Sequence, residues 1–537
     1  MQKMKISEIV KITGGTLLKK GQNAGAANKN ADKDTQYENP SNEPHEYVFN
    51  KDNTKKGDFK INSISTDTRK IVPGSLFVAL CGKNFNGHDF IEQAVQNGAS
   101  AVCISDETKL LPGDYVAILV EDTLKAYQDI AMAVRGEMGY PVVCVTGSVG
   151  KTSTRQMIAA ALSLGLKVHG TKENFNNEIG LPQTLLEAPD DTQVCIAEMG
   201  MRGVGEIREL TLIAKPDIAV ITNIGIAHIE RLGSLDEILK AKTEIVEGLK
   251  EGGLLVLNAN DLYLSAYCDQ VSTQYRIALV SVECDISNNA EFMVRGYNLR
   301  QTSASVTFDV EIKSFKGIPV VLDDLVIPVP GAHNVTNALI GIAVAVELDM
   351  NLLDVIHGLA KYQAVGNRQR IISHQTLTII DDSYNAGLES TLAAITMLSD
   401  IACGRRKIAV LGDMLELGKF SAYAHQTIGE ACVEKKIDVV FACGQEVKNI
   451  QNGIDAAIVR RNKNTIPVDE NEDEEYSSTQ FHYFETREEL TAQLCKFILP
   501  DDVILIKGSR ALAMENVTKA IEEQVNFELI KDEGDQL

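Results

Sequence analysis

The run Gly147-Ser148-Val149-Gly150-Lys151-Thr152-Ser153 follows a short apolar stretch, Pro141-Val142-Val143-Cys144-Val145, and precedes a helical pattern from Arg155 to Leu164. Strand, glycine-bearing loop and helix in that order form the setting in which backbone N–H groups converge on a phosphate. In this setting Lys151 reaches the β- and γ-phosphates of ATP and the Thr152 hydroxyl ligates Mg²⁺. The loop departs from the common G-x-x-x-x-G-K-[ST] pattern. That pattern asks for glycine at 145, where this chain has Val, and its first glycine comes at 147. Glu198 ends the next apolar run, and an acid at the carboxyl end of a neighbouring parallel strand suits a magnesium ion beside the phosphates. The other reading of Glu198 is an ordinary strand-end acid. His228 follows a third run, Ile218–Ile221. Alone it reads as a structural histidine; at the same sheet edge as Glu198 it becomes a metal-ligand candidate.

These groups need a scaffold, and the apolar runs supply one. Runs at 141–145, 193–197, 218–221 and 254–257 are spaced to leave room for helices, and so are those at 377–380, 407–411, 439–442 and 503–506. Continuous apolar strands of this kind predict α/β domains with mostly parallel sheets covered on both faces. We expect three domains: a small mixed N-terminal α/β domain over 1–138, a central P-loop ATPase α/β domain over 139–362 and a C-terminal Rossmann-like α/β domain over 363–537. Two polar stretches, 20–58 and the acidic 462–478, interrupt the pattern and read as insertions.

The 537 residues carry 74 acidic and 52 basic side chains, a net charge of −22. That balance argues against nucleic-acid binding, which needs a basic face to displace counterions. Ten cysteines are scattered without a C-x-x-C pair, which fits buried thiols in a reducing compartment. No run approaches the roughly 18 apolar residues of a membrane span. The chain therefore reads as a cytoplasmic protein, and as a monomer. The Asn-Lys-x-Asp string of guanine-nucleotide switches does not occur, which argues against that class.

The short loop Thr146–Thr152 resembles that of the Mur ligases and folylpolyglutamate synthases, which lack the glycine at the position of Val145. Further strings carry the resemblance to the Mur ligase family over nearly the whole chain apart from the two polar stretches. They are Asn174-Phe175-Asn176-Asn177-Glu178, Ala197-Glu198-Met199-Gly200, Thr222-Asn223-Ile224-Gly225, Ala241-Lys242-Thr243-Glu244 and Gly331-Ala332-His333-Asn334. In the last third Asp381-Asp382-Ser383-Tyr384-Asn385-Ala386, Gly412-Asp413-Met414-Leu415-Glu416-Leu417-Gly418 and Lys507-Gly508-Ser509-Arg510 join them.

The resemblance implies an ATP-dependent amide ligase that works through an acyl phosphate. The Asp382-to-Ala386 and Gly412-to-Gly418 strings imply the member that joins D-alanyl-D-alanine to UDP-N-acetylmuramoyl-tripeptide. The alternative is another Mur-type or folylpolyglutamate synthase-like ligase with a different acceptor. The third residue of the tripeptide, Lys or diaminopimelate, stays open.

Residue by residue, the resemblance implies catalytic roles for Lys151, Glu198, His228, Lys242 and Arg368. Two Mg²⁺ ions would be held by Thr152, Glu198, His228 and a carbamylated Lys242; an ordinary surface lysine is the other reading of Lys242. Asn334 and Asn337 would face the adenine and Asp382 the ribose, although an acid in that place is otherwise often a helix cap. Arg368 or, two residues on, Arg370 would reach the γ-phosphate. Asp67 and Arg69 would serve the UDP nucleotide, Asn176 and Asn177 would bind substrate, and so would Tyr384 and Asn385, near the Asp382 that faces the ribose. Lys507, Ser509 and Arg510 would serve the dipeptide. Gly387-Leu388-Glu389 stands where the family more often has Asn-Pro-Asp, which leaves the loop shape there open.

Overall fold

In a computed structural model, the chain is described at residues 4–18, 58–110, 115–284, 290–314, 318–364, 366–374, 377–464 and 479–534. The polar stretch expected as the first insertion, save Asp58, and residues 465–478 of the second lie outside these. Three sheets carry the three-domain α/β fold, and the chain divides into two compact units.

The first unit comprises residues 1–140 together with 171–192. Its sheet has strands β1 (Thr16–Leu18), β2 (Ser63–Ser65), β3 (Ser75–Val78), β4 (Ala99–Ile104) and β5 (Val116–Leu119), in the order β1-β5-β4-β3-β2. All pair in parallel except β1 with β5. Phe77, Val102 and Ile104 on the strands bury against Ile91 and Ala94 of a short helix. Helix α1 (Thr123–Glu137) is capped by the Asp122 carboxylate, which accepts from the N–H groups of Leu124 and Lys125. The segment 171–192 falls inside the second expected domain by number but belongs to this unit. Its short helix Gly180–Leu186 packs on α1.

The second unit, 141–170 with 193–537, holds the other two sheets. The first has nine strands: β6 (Val142–Thr146), β7 (Val168–Gly170), β8 (Val194–Glu198), β9 (Ile218–Ile221), β10 (Leu254–Asn258), β11 (Arg276–Val282), β12 (Phe292–Gln301), β13 (Val306–Ser314) and β14 (Val320–Ile327). Their order is β7-β8-β6-β9-β10-β11-β12-β13-β14. Pairing is parallel as far as β12 and antiparallel beyond it. Strands β6, β8 and β9 are buried at every residue, which is why they read as unbroken apolar runs.

Helix α2 (Lys151–Leu162) covers one face and packs on α4 (Ala332–Glu347), the fourth labelled helix after α3 (Leu235–Thr243). Gly341 allows the approach of α2 and α4, since a Cβ there would lie 3.2 Å from the Cβ of Ala161. At the far edge β14 carries an irregular register against β13. Asp324 has φ +55° and Arg300 bridges to it and to Asp309.

The last sheet contains β15 (Arg370–Ser373), β16 (Thr378–Asp381), β17 (Lys407–Gly412), β18 (Val439–Cys443), β19 (Gln480–Phe484) and β20 (Val503–Lys507). Their order is β15-β16-β20-β17-β18-β19, parallel except for the edge strand β15. All eight apolar runs read from the sequence are strands here, shifted by a residue at most ends. The phosphate-loop helix starts at Lys151, four residues before the apolar pattern suggests, because Gly150 at φ +83° turns the chain directly into it.

Beyond β17 the Asp413 carboxylate accepts from the N–H groups of Gln445, Glu446 and Val447, at 2.8, 3.0 and 2.9 Å. It thereby fixes the entry to helix α7 (Lys448–Asn464), which follows α5 (Leu388–Ala402) and α6 (Ser421–Glu434). Replacing Asp413 with Ala leaves those N–H groups without an acceptor. The expected cost is about 2 kcal/mol, read as a lower unfolding midpoint and faster amide exchange at the start of α7.

Candidate active site

The carboxyl ends of β6, β8 and β9 meet at the phosphate loop. Gly147 has φ +150°, and a Cβ there would lie 1.9 Å from the Thr222 Oγ1, so only glycine fits. The loop is clamped from β9. The Val149 N–H donates to Asn223 Oδ1 at 3.0 Å, while Thr222 Oγ1 and Asn223 Nδ2 donate to the Val149 carbonyl at 2.7 and 3.1 Å. The Ser148 N–H donates to the Asn223 carbonyl. Its hydroxyl donates to the Gly225 carbonyl at 3.0 Å and accepts from the Gly225 N–H at 2.8 Å. Thr222 and Asn223 thus hold the loop's shape. The sequence places them at a strand end but gives no sign of this clamp.

Lys151 folds back over its own loop, its Nζ donating to the carbonyls of Gly147 at 2.8 Å and Ser148 at 3.3 Å. Desolvation pulls its pKa below the usual lysine value, Glu198 opposes this, and Arg368 adds to the lowering. The Thr152 hydroxyl donates to Glu198 Oε2 at 2.9 Å, and Glu198 is only 2% exposed. A hydroxyl and a carboxylate oxygen converge here beside the loop, the donor set a magnesium ion takes together with phosphate oxygens.

His228 stands two residues beyond Ile226, at φ +63°, with Nδ1 2.5 Å from Glu416 Oε2. A carboxylate on one ring nitrogen orients the other for a metal. Burial lowers the His228 pKa, Glu416 opposes, and Lys151 and Lys242 lower it further. Lys242 ends helix α3 and is 1% exposed, which rules out the surface-lysine reading. Burial first, then Lys151, brings its pKa well below the usual value, and no carboxylate among the described residues offsets this. Its charged form is thus disfavoured in an enclosed place. Among the described residues no cluster of three His, Cys, Asp or Glu side chains could hold a metal by itself, so an ion bound here would take part of its shell from other donors such as phosphate oxygens or water.

The third sheet contributes a second group. Arg368 lies flat on the Tyr384 ring, 3.6 Å from its centroid, and acts electrostatically on Lys151 and Arg155. Arg370 points elsewhere, exposed on β15 and 4.0 Å from Glu522, so the structure favours Arg368 of the two arginines. Asp382 is no helix cap. Its carboxylate accepts from Lys507 Nζ at 2.5 Å and from the Gln369 N–H at 3.2 Å, and helix α5 is capped by Gly387 instead. Burial raises the Asp382 pKa and Lys507 opposes.

Lys507, 2% exposed, also donates to the Asn385 carbonyl, while Asn385 Oδ1 accepts from the Arg510 N–H. The Ser509 hydroxyl accepts from the Leu415 N–H at 2.9 Å. A small cavity between α2 and residues 362–369 is lined by Ser153, Gln156, Asn334, Tyr362, Arg368 and Gln369. Asn334 donates to the Pro330 carbonyl and to Gln369 Oε1, and Asn337 accepts from Thr154. Sequence reasoning gave no role to Gln156, Tyr362, Gln369 and Glu416, which lie in or against this site; of these Glu416 alone stood in a quoted string, Gly412–Gly418.

The remaining expected residues belong to the first unit. Asp67 and Arg69 pair with each other at 2.7 Å, Arg69 largely exposed. Asn177 Oδ1 accepts from the Gly180 N–H at the start of the helix Gly180–Leu186, and Asn176 is half-buried nearby.

A phosphate loop backed by a hydroxyl–carboxylate pair, with a second α/β sheet bringing an arginine toward it, defines an ATP-using enzyme. Three family descriptions match the chain: "Mur ligase family, catalytic domain" over 60–173, "Mur ligase middle domain" over 145–345, and "Mur ligase, glutamate ligase domain" over 367–510. The UDP-N-acetylmuramoyl-tripeptide–D-alanyl-D-alanine ligase of Bacillus subtilis (strain 168) is 36% identical over 86% of this chain and 93% of its own. The protein of the same name from Escherichia coli (strain K12) is 34% identical over 87% and 95%. Among solved structures, the MurF ligase of Thermotoga maritima in complex with ADP matches with a TM-score of 0.70 at 26% identity, over 87% of this chain and 98% of that one. A MurF from Acinetobacter baumannii shares the fold, with a TM-score of 0.77 at 24% identity over 97% and 99%. The chain belongs to the Mur ligase family and is an ATP-dependent ligase.

Replacing Gly147 with Ala pushes a methyl group into Thr222. We expect kcat/KM for ATP to fall by about 100-fold or more while far-ultraviolet circular dichroism is unchanged, as measured by phosphate release.

Proposed function

We infer that the enzyme joins D-alanyl-D-alanine to UDP-N-acetylmuramoyl-tripeptide through an acyl phosphate, yielding the UDP-MurNAc-pentapeptide precursor of peptidoglycan. The reading rests on one convergence. Lys151, the Thr152–Glu198 pair and His228 gather at the carboxyl ends of the strands, with Lys242 of α3 close enough to act on Lys151 and His228, in a chain that aligns over almost the full length of relatives bearing that name. The enzyme works in the cytoplasm and acts as a monomer. No helix among the described residues is long and apolar enough to cross a membrane.

The tripeptide carboxylate attacks the γ-phosphorus of ATP. Two anions must approach each other in a cleft where their repulsion is weakly screened. Lys151 and Arg368 offset that charge at the phosphates, and the loop's N–H groups fix the γ-phosphate in line. Thr152 and Glu198 would hold one Mg²⁺. His228 and a carbamylated Lys242 would hold a second, beside the acyl carboxylate. The ions supply charge neutralisation. Carbamylation needs a neutral amine, and burial shifts Lys242 toward that form. Asn334 and Asn337 serve the adenine side and Asp382 the ribose. Asp67, Arg69, Asn176 and Asn177 serve the uridine-nucleotide substrate, and Tyr384, Asn385, Lys507, Ser509 and Arg510 the dipeptide side. The amine then displaces phosphate from the acyl phosphate.

Phosphate release should require ATP, the tripeptide nucleotide and D-alanyl-D-alanine together. Turnover with L-lysine or diaminopimelate in place of the dipeptide would refute the assignment. Lys242→Ala should lower turnover by about 100-fold and recover part of it on addition of short carboxylates. Full activity of this variant would remove the role assigned to Lys242.

A further inference from the structure

Glu389 has no part in the scheme above, yet its carboxylate reaches the phosphate-loop clamp. It sits in the first turn of α5, and its Oε1 accepts from the Ile226 N–H at 2.8 Å. The carboxylate lies flat on Gly225. A Cβ on that glycine would fall 2.4 Å from both Cδ and Oε1 of Glu389 and 2.9 Å from Oε2. Gly225 is the residue that exchanges two hydrogen bonds with the Ser148 hydroxyl, so the carboxylate stands one residue from the phosphate loop. The second oxygen, Oε2, is enclosed and has no hydrogen-bond partner among the described residues. An acceptor left so is costly, and such a group in a folded protein calls for an explanation, a catalytic role among them.

Of the reacting groups in the proposed ligation, the phosphates and the tripeptide carboxylate only accept. The amino group of the incoming dipeptide alone donates. We propose that Glu389 Oε2 receives that amino group and takes its first proton; the proposal rests on the ligase reading above. The ammonium gives one proton to Oε2. The freed nitrogen lone pair then forms the C–N bond at the acyl carbonyl, and the C–O bond to phosphate breaks, the electron pair leaving with the phosphate. The second nitrogen proton passes to that phosphate, so one amide, one hydrogen phosphate and one proton on Glu389 result. Gly225 is glycine, on this account, to seat the carboxylate.

The test separates the two half-reactions. Acyl phosphate formed from ATP and the tripeptide nucleotide without dipeptide is trapped by hydroxylamine as the hydroxamate, and pentapeptide formation is followed separately. Glu389→Gln keeps an oxygen for the Ile226 N–H. It should form hydroxamate at the wild-type rate while pentapeptide formation falls about 100-fold and KM for the dipeptide rises. Glu389→Ala also loses the Ile226 bond and should be worse in both assays. If Glu389→Gln makes pentapeptide normally and only Glu389→Ala fails, the carboxylate is a structural bracket and the proposal is wrong. An equal loss of hydroxamate and pentapeptide in Glu389→Gln overturns it as well. Wild-type enzyme that turns over ATP to free phosphate with neither dipeptide nor hydroxylamine present, as fast as with dipeptide, would instead refute the ligase reading, and this proposal with it.

Discussion

The exchange of hydrogen bonds between the Ser148 hydroxyl and the Gly225 backbone, with Thr222 and Asn223 on either side of Val149, sets the frame for the rest of the second unit. A phosphate loop is a tight turn of backbone that presents some of its N–H groups to an anion, and those of Ser148 and Val149 are taken up by Asn223 instead. Left to itself it would turn them to water. Here the neighbouring strand end supplies acceptors and donors that satisfy the outward side. The same strand end continues through Ile226 to His228, so one segment shapes the nucleotide loop and carries the histidine. Glu389 and Glu416, both beyond residue 363, bond to that segment at Ile226 and His228. The third sheet therefore bears on the phosphates through the clamp as well as through Arg368.

Charge is handled by burial as much as by pairing. Lys151, Lys242 and His228 are crowded and desolvated, and each is pushed toward its neutral form. A site at rest with three cations close together would repel itself. With the phosphates and an acyl carboxylate in place, the same crowding turns favourable. The Asp382–Lys507 pair shows the other solution, two opposite charges buried against each other and tied to backbone on both sides.

Much of this was legible in the sequence because strands buried on both faces leave unbroken apolar runs, and because glycines at 147 and 150 mark positive backbone angles. Glu198 could be placed beside Thr152 from its strand end alone. The start of α2 was misjudged because glycine, not an apolar period, begins it. The burial of Lys242 was invisible, since a lysine at the end of an amphipathic helix reads as solvated until the packing of its neighbours is known. Glu416, Gln369 and Tyr362 come from loops and helix ends far apart in the chain, and only the fold brings them to the site. The grouping of 171–192 with the first unit was hidden for the same reason. The chain leaves one unit and returns without any change in composition.

The far edge of the nine-stranded sheet has a consequence of a different kind. A bare edge strand is a template on which a second chain can grow a ladder. Strand β14 spoils that template: its register slips against β13, Asp324 turns to a left-handed backbone angle, and the charges of Arg300, Asp309 and Asp324 crowd the bend. The sheet is thereby finished within its own chain. An edge broken in this way offers a second chain few consecutive free backbone groups in one register, so the longest sheet of the protein is a poor seed for growth from that side.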